Sequence, residues 1–545
     1  MNLIMDTFKF LIKSTTFFVL LIVTTNNLFA QKPILSEDFN FSIGEKYKRI
    51  KNTNTYFVTL GQRMVAIKKG RKDMTIQRFS LKDLKEDLKK RQIIEDKGDF
   101  QSVMELDRDA VVFYTIKDRA YAQQISVSGV AAQKPIQLVT DKENIDRDFG
   151  FKSTYGYDAG GRINKFVFKK SFNGTKVLVL FRVETGNDKA DKIGVAIYNS
   201  DLSLLWKRKI SLPYPSEHML NEDFAIDDEG NFYMTASIFT AGSSDKDKLK
   251  NNFRTEVFKI GEEDKEFTKS EITLGNNFVQ DAIISKDITG LVRVSGFYSD
   301  ASDKEQVKGV FSTRLSVDGT LENTIKADFP NSKLQELAMQ RETRVNEGTQ
   351  KVDDKKDFEN IKVNDVIFNP DGSFVILSEQ RYVTSQTTSS SSGSRTTYRY
   401  FYRDITAFKV STSSEMVWMH KLPKYQIGIN GKASMSFKNF KFNGKHYLFF
   451  VDDFTNLKRA FDEFPQKYYD DKKEFLYLTA YIIDDATGEV VKEPILTGSD
   501  IRNARLETIL LTKAPMLNNG DLILEVFDGK KNNLLVKIER VVDKK

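Results

Sequence analysis

The groups that could do chemistry are few. The 545-residue chain has three histidines, His218, His420 and His446, and no cysteine. In SEHMLNED, His218 and Glu222 have the four-residue spacing that would hold a metal on one face of a helix, but the surroundings read as a connecting loop and offer no third ligand. No metal site is expected. His420 and His446 sit in strand-like runs and read as packed or edge residues. Acids occur in pairs at Asp227-Asp228, Asp353-Asp354, Asp452-Asp453, Asp470-Asp471 and Asp484-Asp485. Two carboxylates hydrolyse a glycoside only when they face each other across the bond. Neighbours in a strand point to opposite faces, so a sequential pair is not a catalytic pair, and most of these read as turn residues. Without cysteine there is no thiol nucleophile, thiolate metal site or lipid attachment point. No nucleophile elbow, phosphate loop or HExxH motif is present, and no catalytic residue or cofactor is expected.

What must position any functional group is a repeated hairpin. A turn signal recurs between short apolar runs: Asn173-Gly174, Glu229-Gly230, Thr289-Gly290, Asp371-Gly372, Asn443-Gly444 and Asn519-Gly520. Each places glycine where a hairpin wants positive φ. The glycines are spaced by 56, 60, 82, 72 and 76 residues, and a second hairpin follows each of the first five. Two hairpins make four antiparallel strands, the composition of a β-propeller blade. YFVTLG, RMVAIKK, DMTIQRFS and LKKRQII make an earlier blade between Tyr56 and Ile94, and a second runs from Phe100 to Val139. Leu81 to Lys90 would also suit a charged helix, with Leu81, Leu84 and Leu88 on one face, but the hairpin reading matches the later repeats. The expectation is an all-β fold, a β-propeller of seven or eight four-stranded blades with a few loop or short-helix inserts. A strand from the N-terminal region would complete the partial last unit and close the ring.

The longer steps coincide with three inserts. Residues 331–360 are charged and carry Leu334, Leu337 and Met339, so a short helix is expected there. Residues 384–400 contain a Ser/Thr-rich run that reads as a flexible loop. Residues 454–475 mix aromatics with charge, and Phe461, Phe464, Tyr468 and Tyr469 are the candidate anchors for a partner, against the alternative that they fold back over the disc.

The first thirty residues do not belong to this plan. Lys9 and Lys13 precede an uncharged run from Phe17 to Val23, and a polar stretch leads to Leu28, Phe29 and Ala30, the pattern of a cleavable signal peptide. The run falls short of the ~20 apolar residues a spanning helix needs, so no transmembrane anchor is expected. Cleavage after Ala30 would leave residues 31–545 as one propeller domain and, by removing two lysines and one aspartate, lower the formal charge from +7 to +6. The chain is thus expected in the periplasm, with secretion the other outcome. Its 83 basic residues are interleaved with 76 acids, which argues against nucleic acid.

The two tryptophans occupy one plan. Ala196, Ala407 and Ala480 each start a strand whose polar turn is followed by Trp206, Trp418 and Val491, read as bulky residues buried between adjacent sheets. Alanine, a turn with Asp and Thr-Gly, then tryptophan resembles the repeat of pyrroloquinoline-quinone-type propellers, and AYIIDDATGEVV comes nearest, with valine and lysine in the tryptophan position. That superfamily includes quinoprotein dehydrogenases and the periplasmic scaffold propellers of outer-membrane assembly machinery, which bind no cofactor. Two tryptophans and no cysteine depart from the dehydrogenase pattern, and the sialidase Asp-box, WD and kelch signatures are missing.

Together these readings lead to a non-catalytic propeller that mediates protein–protein interaction in a cell-envelope complex. By analogy with periplasmic propellers, it would serve as an accessory or plug subunit of an outer-membrane secretion or assembly channel of the type 9 translocon kind. The alternative is a glycan-acting hydrolase using carboxylates at the central channel.

Overall fold

The computed structural model describes residues 36–541 apart from 37, 52, 71–72, 94–97, 108, 127–132, 147–164, 186–190, 216–217, 240–252, 301–305, 338–357, 391–392, 430–433 and 470–474. The expected signal peptide at residues 1–30, Met339, and the pairs Asp353-Asp354 and Asp470-Asp471 lie outside the described residues.

Every named strand falls into one of eight sheets that follow one another along the chain, each built on four antiparallel strands, with one parallel pair added to the sixth. Blade 1 is Asn54–Leu60, Arg63–Lys69, Asp73–Ser80 and Glu86–Ile93; blade 2 is Asp99–Leu106, Asp109–Ile116, Arg119–Ser126 and Ile136–Val139. Blade 3 runs from Phe166–Lys170 to Leu204–Ser211, blade 4 from Met219–Ile226 to Thr268–Glu271, and blade 5 from Phe278–Lys286 to Leu321–Asp328. Blade 6 is Ile361–Phe368, Phe374–Ser390, Gly393–Val410 and Met416–Leu422; blade 7 is Lys438–Phe442, Lys445–Asp453, Leu476–Asp484 and Val490–Thr497. Blade 8 joins Leu522–Phe527 and Asn532–Arg540 to Phe39–Ile43 and Tyr47–Lys48 from the other end of the chain, with an isolated bridge from Met516 to Leu522 at its inner edge. The molecule is an eight-bladed β-propeller, and its N-terminal strand closes the ring.

Local chemistry explains the strands. All six turn glycines adopt φ between +71° and +95°, which a side chain disfavours. The two middle strands of a blade are covered on both faces and read as apolar runs: Phe232–Phe239 is buried throughout. Outer strands have one wet face and alternate, as Leu204–Ser211 does. The stretch from Leu81 is a turn and strand, not a helix, because Arg78 pairs with Leu88 and Thr75 with Arg91 across the hairpin.

Between the sheets lie seven apolar layers. They join blades 1 and 2 (Ile67, Ile76, Val112), 2 and 3 (Phe113, Phe166, Val179), and 3 and 4 (Ile197, Trp206, Phe232). The series continues through blades 4 and 5 (Tyr233, Val294), 5 and 6 (Phe297, Phe408), and 6, 7 and 8 (Leu377, Phe449, Val536), and ends between 8 and 1 (Ile523, Met64). Each fully buried aliphatic or phenylalanine side chain contributes roughly 1.5–3 kcal/mol, and a blade alone would leave both faces wet.

Four antiparallel strands put the first and third connections of a blade at one end of the ring and the second and blade-to-blade connections at the other. The turn end carries the short glycine turns. The insert end carries all three expected inserts. Residues 331–337 form the expected short helix, with Leu337 buried. The Ser/Thr-rich stretch is a correction: it is not a loop. It extends the second and third strands of blade 6, paired from Thr384↔Arg399 to Ser390↔Gly393, because its threonines and tyrosines are strand formers that meet in register.

Candidate functional site

The tryptophans belong to the core. Trp206 and Trp418 are 6% and 7% exposed, and each indole N–H donates to a turn carbonyl of the next blade, Gly230 at 2.9 Å and Asp485 at 3.0 Å. Val491 corrects the pattern, since it is 52% exposed and its neighbour Val490 packs inward. Both tryptophans sit beside a β-bulge at the turn end of their strand pair, whereas the bulge of blade 7 lies at Leu478/Thr479, which reverses sidedness at the turn.

The acids of the turn end are structural. Asp227 accepts from the backbone of Gly230 and Asn231 at 2.8 and 2.7 Å. Asp485 gathers His446 Nε2 at 2.7 Å, Lys409 Nζ at 2.9 Å and Lys441 Nζ at 3.2 Å. Burial alone would raise its pKa, but the His446 and Lys409 hydrogen bonds and the Lys441 charge hold the carboxyl well below the usual range. His218 occupies a turn against the Phe239 carbonyl at 3.1 Å, while Glu222 sits in a strand and accepts from Ser237, so the two are not on one helix face. His420 lies against Trp418, and burial lowers its pKa.

Three further carboxylates form a series that the sequence reading did not single out. Asp223, Asp281 and Asp365 each follow a β-bulge in the innermost strand of blades 4, 5 and 6. The bulge re-aims each side chain onto the next blade. Asp223 Oδ2 accepts from Ile284 N at 2.9 Å, Asp281 Oδ2 from Val363 N at 2.7 Å, and Asp365 Oδ2 from Asn439 Nδ2 at 2.7 Å. Lys169 and Lys362 neutralise the first two at 2.6 and 2.8 Å. Burial raises the Asp365 carboxyl and lowers the neighbouring Lys438 ammonium. The signal was visible as an aspartate seven, nine and seven residues before the turn glycines 230, 290 and 372.

At the insert end, strands Phe374–Ser390 and Gly393–Val410 leave the ring as a two-stranded arm. Seven residue pairs beyond the disc reach about 23 Å at the usual strand rise. Gln426–Ile429 pairs with the arm as far as Arg399, and Tyr468–Tyr469 adds in parallel to that strand. Under the root lies a buried polar network. Lys424 Nζ meets Glu379 Oε1 at 2.6 Å with both side chains 0% exposed, and Ser436 Oγ donates to Glu379 Oε2 at 2.8 Å. Gln426 Nε2 donates to the Val451 carbonyl at 2.8 Å, tying the network to blade 7. Burial, opposed by Glu379, lowers the Lys424 pKa.

The four anchor candidates surround this root. Tyr468 is fully buried and hydrogen-bonds Ser434, so it belongs to the core and not to the surface. Phe464 and Tyr469 are half-buried; Phe464 packs edge-on against Tyr425 at 5.6 Å, and the Arg403 guanidinium lies over both rings. Phe461 is 42% exposed, leaning on Tyr481 at 5.6 Å. The aromatic insert therefore folds back and buttresses the arm, leaving Phe461 and Phe475 as exposed large apolar side chains among its described residues.

No family model matches the chain, and no curated protein matches it. Solved structures similar in outline include the polysaccharide lyase Uly1, with 7% identity and a TM-score of 0.37 over 82% of this chain and 90% of that one. The β-propeller domain of the Trilobed protease from Pyrococcus furiosus gives 7% and 0.34 over 80% and 94%, and Kluyveromyces lactis Hsv2 gives 8% and 0.34 over 79% and 93%. At these scores the likeness carries no argument about function, and the fold stands on the eight sheets and the apolar layers that join them. The chain is a β-propeller repeat protein.

Proposed function

We propose that the protein is a non-catalytic docking propeller of the cell envelope, exported by its N-terminal signal and held in the periplasm. It would bind a protein partner through the insert end of blades 6 and 7, as an accessory or plug subunit of an outer-membrane secretion or assembly channel of the type 9 translocon kind. The observation that carries this reading is the arm. An element projecting beyond the disc adds little to the core, and its root is nonetheless fixed by a buried ion pair and by the neighbouring blade's insert. Two inner-strand carboxylates support the non-catalytic part, because Asp223 and Asp281 are already engaged by a backbone N–H of the next blade and by a lysine. Tagged full-length protein should recover an envelope partner from detergent-solubilised membranes, and shortening the arm should lose it; recovery of the protein alone under mild conditions would overturn the reading. N-terminal sequencing of the periplasmic fraction should begin at Gln31.

A glycan-acting hydrolase is the second reading, favoured by one observation, the raised pKa of Asp365, which suits a general acid. Hydrolysis of a polysaccharide panel abolished by Asp365→Asn would establish it.

A further inference from the structure

We infer that the free edge of the arm's first strand is a strand-addition site for an extended protein segment carrying acidic residues four positions apart, an inference that rests on the docking reading above. The ladder with Ile361–Phe368 ends at Ile361↔Gln380, and the Arg381 N–H donates to the Asn360 carbonyl. Beyond that point, among the described residues, no strand pairs with the free edge of Val383–Ser389, the side on which Ile361–Phe368 pairs lower down; its ladder runs only to residues 394–400 of the third strand. Along such an edge, alternate N–H and C=O groups face outward and can take another strand.

Natural edges are guarded by lysine, proline, bulges or inward charge. The run VTSQTTS, Val383 to Ser389, has none of these residues, and its pairing with residues 394–400 shows no register shift. Its small polar side chains keep it soluble while leaving the backbone accessible.

Charge selects the occupant. From Arg381 to Arg403 there are four arginines and no aspartate or glutamate, in a chain with 76 acids. Arg395 and Arg399 are exposed and lie directly across from Thr388 and Thr384. Paired residues share a face, so both guanidiniums stand on the face that carries Thr384, Gln386 and Thr388. Adjacent strands are about 4.8 Å apart, so an arginine reaching over a threonine meets a carboxylate from the added strand above it. The two arginines are four residues apart, so the segment places acids at i and i+4. Tyrosine and arginine flanking a docking strand are the residue types that carry interface energy.

The test uses the full mature chain and a fluorescein-labelled peptide, Thr-Val-Glu-Val-Thr-Val-Glu-Val-Thr, with a control whose second glutamate is moved one place to the opposite face. Anisotropy should show the first peptide binding up to roughly fivefold tighter, as the one exposed ion pair the control loses allows. Arg395→Glu with Arg399→Glu should abolish the preference while circular dichroism is unchanged, and hydrogen exchange should slow at residues 383–389 on binding. Equal affinity for the two peptides, or no amide protection, would overturn strand addition. Polygalacturonate displacing the peptide without amide protection would likewise overturn it, marking the arm as a surface for anionic glycan. Loss of the envelope partner on arm shortening without peptide binding would sink only strand addition, whereas peptide binding with the partner retained would sink only the docking reading.

Discussion

The two ends of the ring are built on opposite terms. At the turn end the carboxylates Asp227 and Asp485 hold the structure itself: Asp227 closes its own hairpin, and Asp485 joins blade 7 to Lys409 of blade 6. At the insert end the longest strands of the molecule leave the core, and Arg395 and Arg399 stand exposed on an arm without acids. The difference teaches that stability is repeated in each blade, whereas the strands that extend past the shared core are those of blade 6, buttressed by blade 7.

The comparison can be broken first at the arm's root. Removing one partner of a buried ion pair strands the other, so Lys424→Ala should cost about 3–5 kcal/mol by denaturant unfolding. A loss below about 1 kcal/mol would mean that the root is not fixed. Trp418→Ala should cost a similar ~3–5 kcal/mol, because it opens a cavity between blades 6 and 7 and leaves the Asp485 carbonyl without its indole donor. Asp281→Ala should cost about 1–2 kcal/mol, since a half-buried inter-blade hydrogen bond is weaker than a buried charge pair. Proteolysis at the blade 5–6 connection should quicken in step.

Acid sharpens the turn end. The Asp485 carboxyl is held below its unfolded value, so its contribution is complete above about pH 4 and is lost as pH falls through the depressed folded value. Melting temperature should fall between about pH 4 and 2, and Asp485→Asn should flatten that slope while lowering stability at neutral pH. A variant with an unchanged acid slope would remove Asp485 from the account. The smallest effect belongs to Phe461→Ala, where the exposed ring should change stability by no more than about 0.5 kcal/mol. Any loss of partner binding there would then report on the surface alone.

Legibility in the sequence followed the range of the interaction. Turn glycines and alternating strands are local, so blades 1 to 7 could be bounded within a few residues, and the closing role of the N-terminal strand followed from a missing partner in blade 8. The position of a bulge is less local, and Val491 was placed inward because the bulge of blade 7 had moved to the other end of its strand pair. The arm was read as a loop because serine and threonine are ambiguous until Ser385 meets Tyr398 across the hairpin. The aspartates of the inner strands had a visible spacing, but their purpose depends on which backbone N–H the next blade presents. Of the four proposed anchors, Tyr468 shows the limit most plainly: its aromatic character was evident, and its burial against Ser434 was not.

The central claim is that recognition belongs to the insert end. A photo-crosslinking residue placed at Gln386, on the arm, should capture an envelope partner in intact cells. The same residue at Val317, which is 83% exposed on a turn of blade 5 at the opposite end, should not. Capture from Val317 with none from Gln386 would contradict the account.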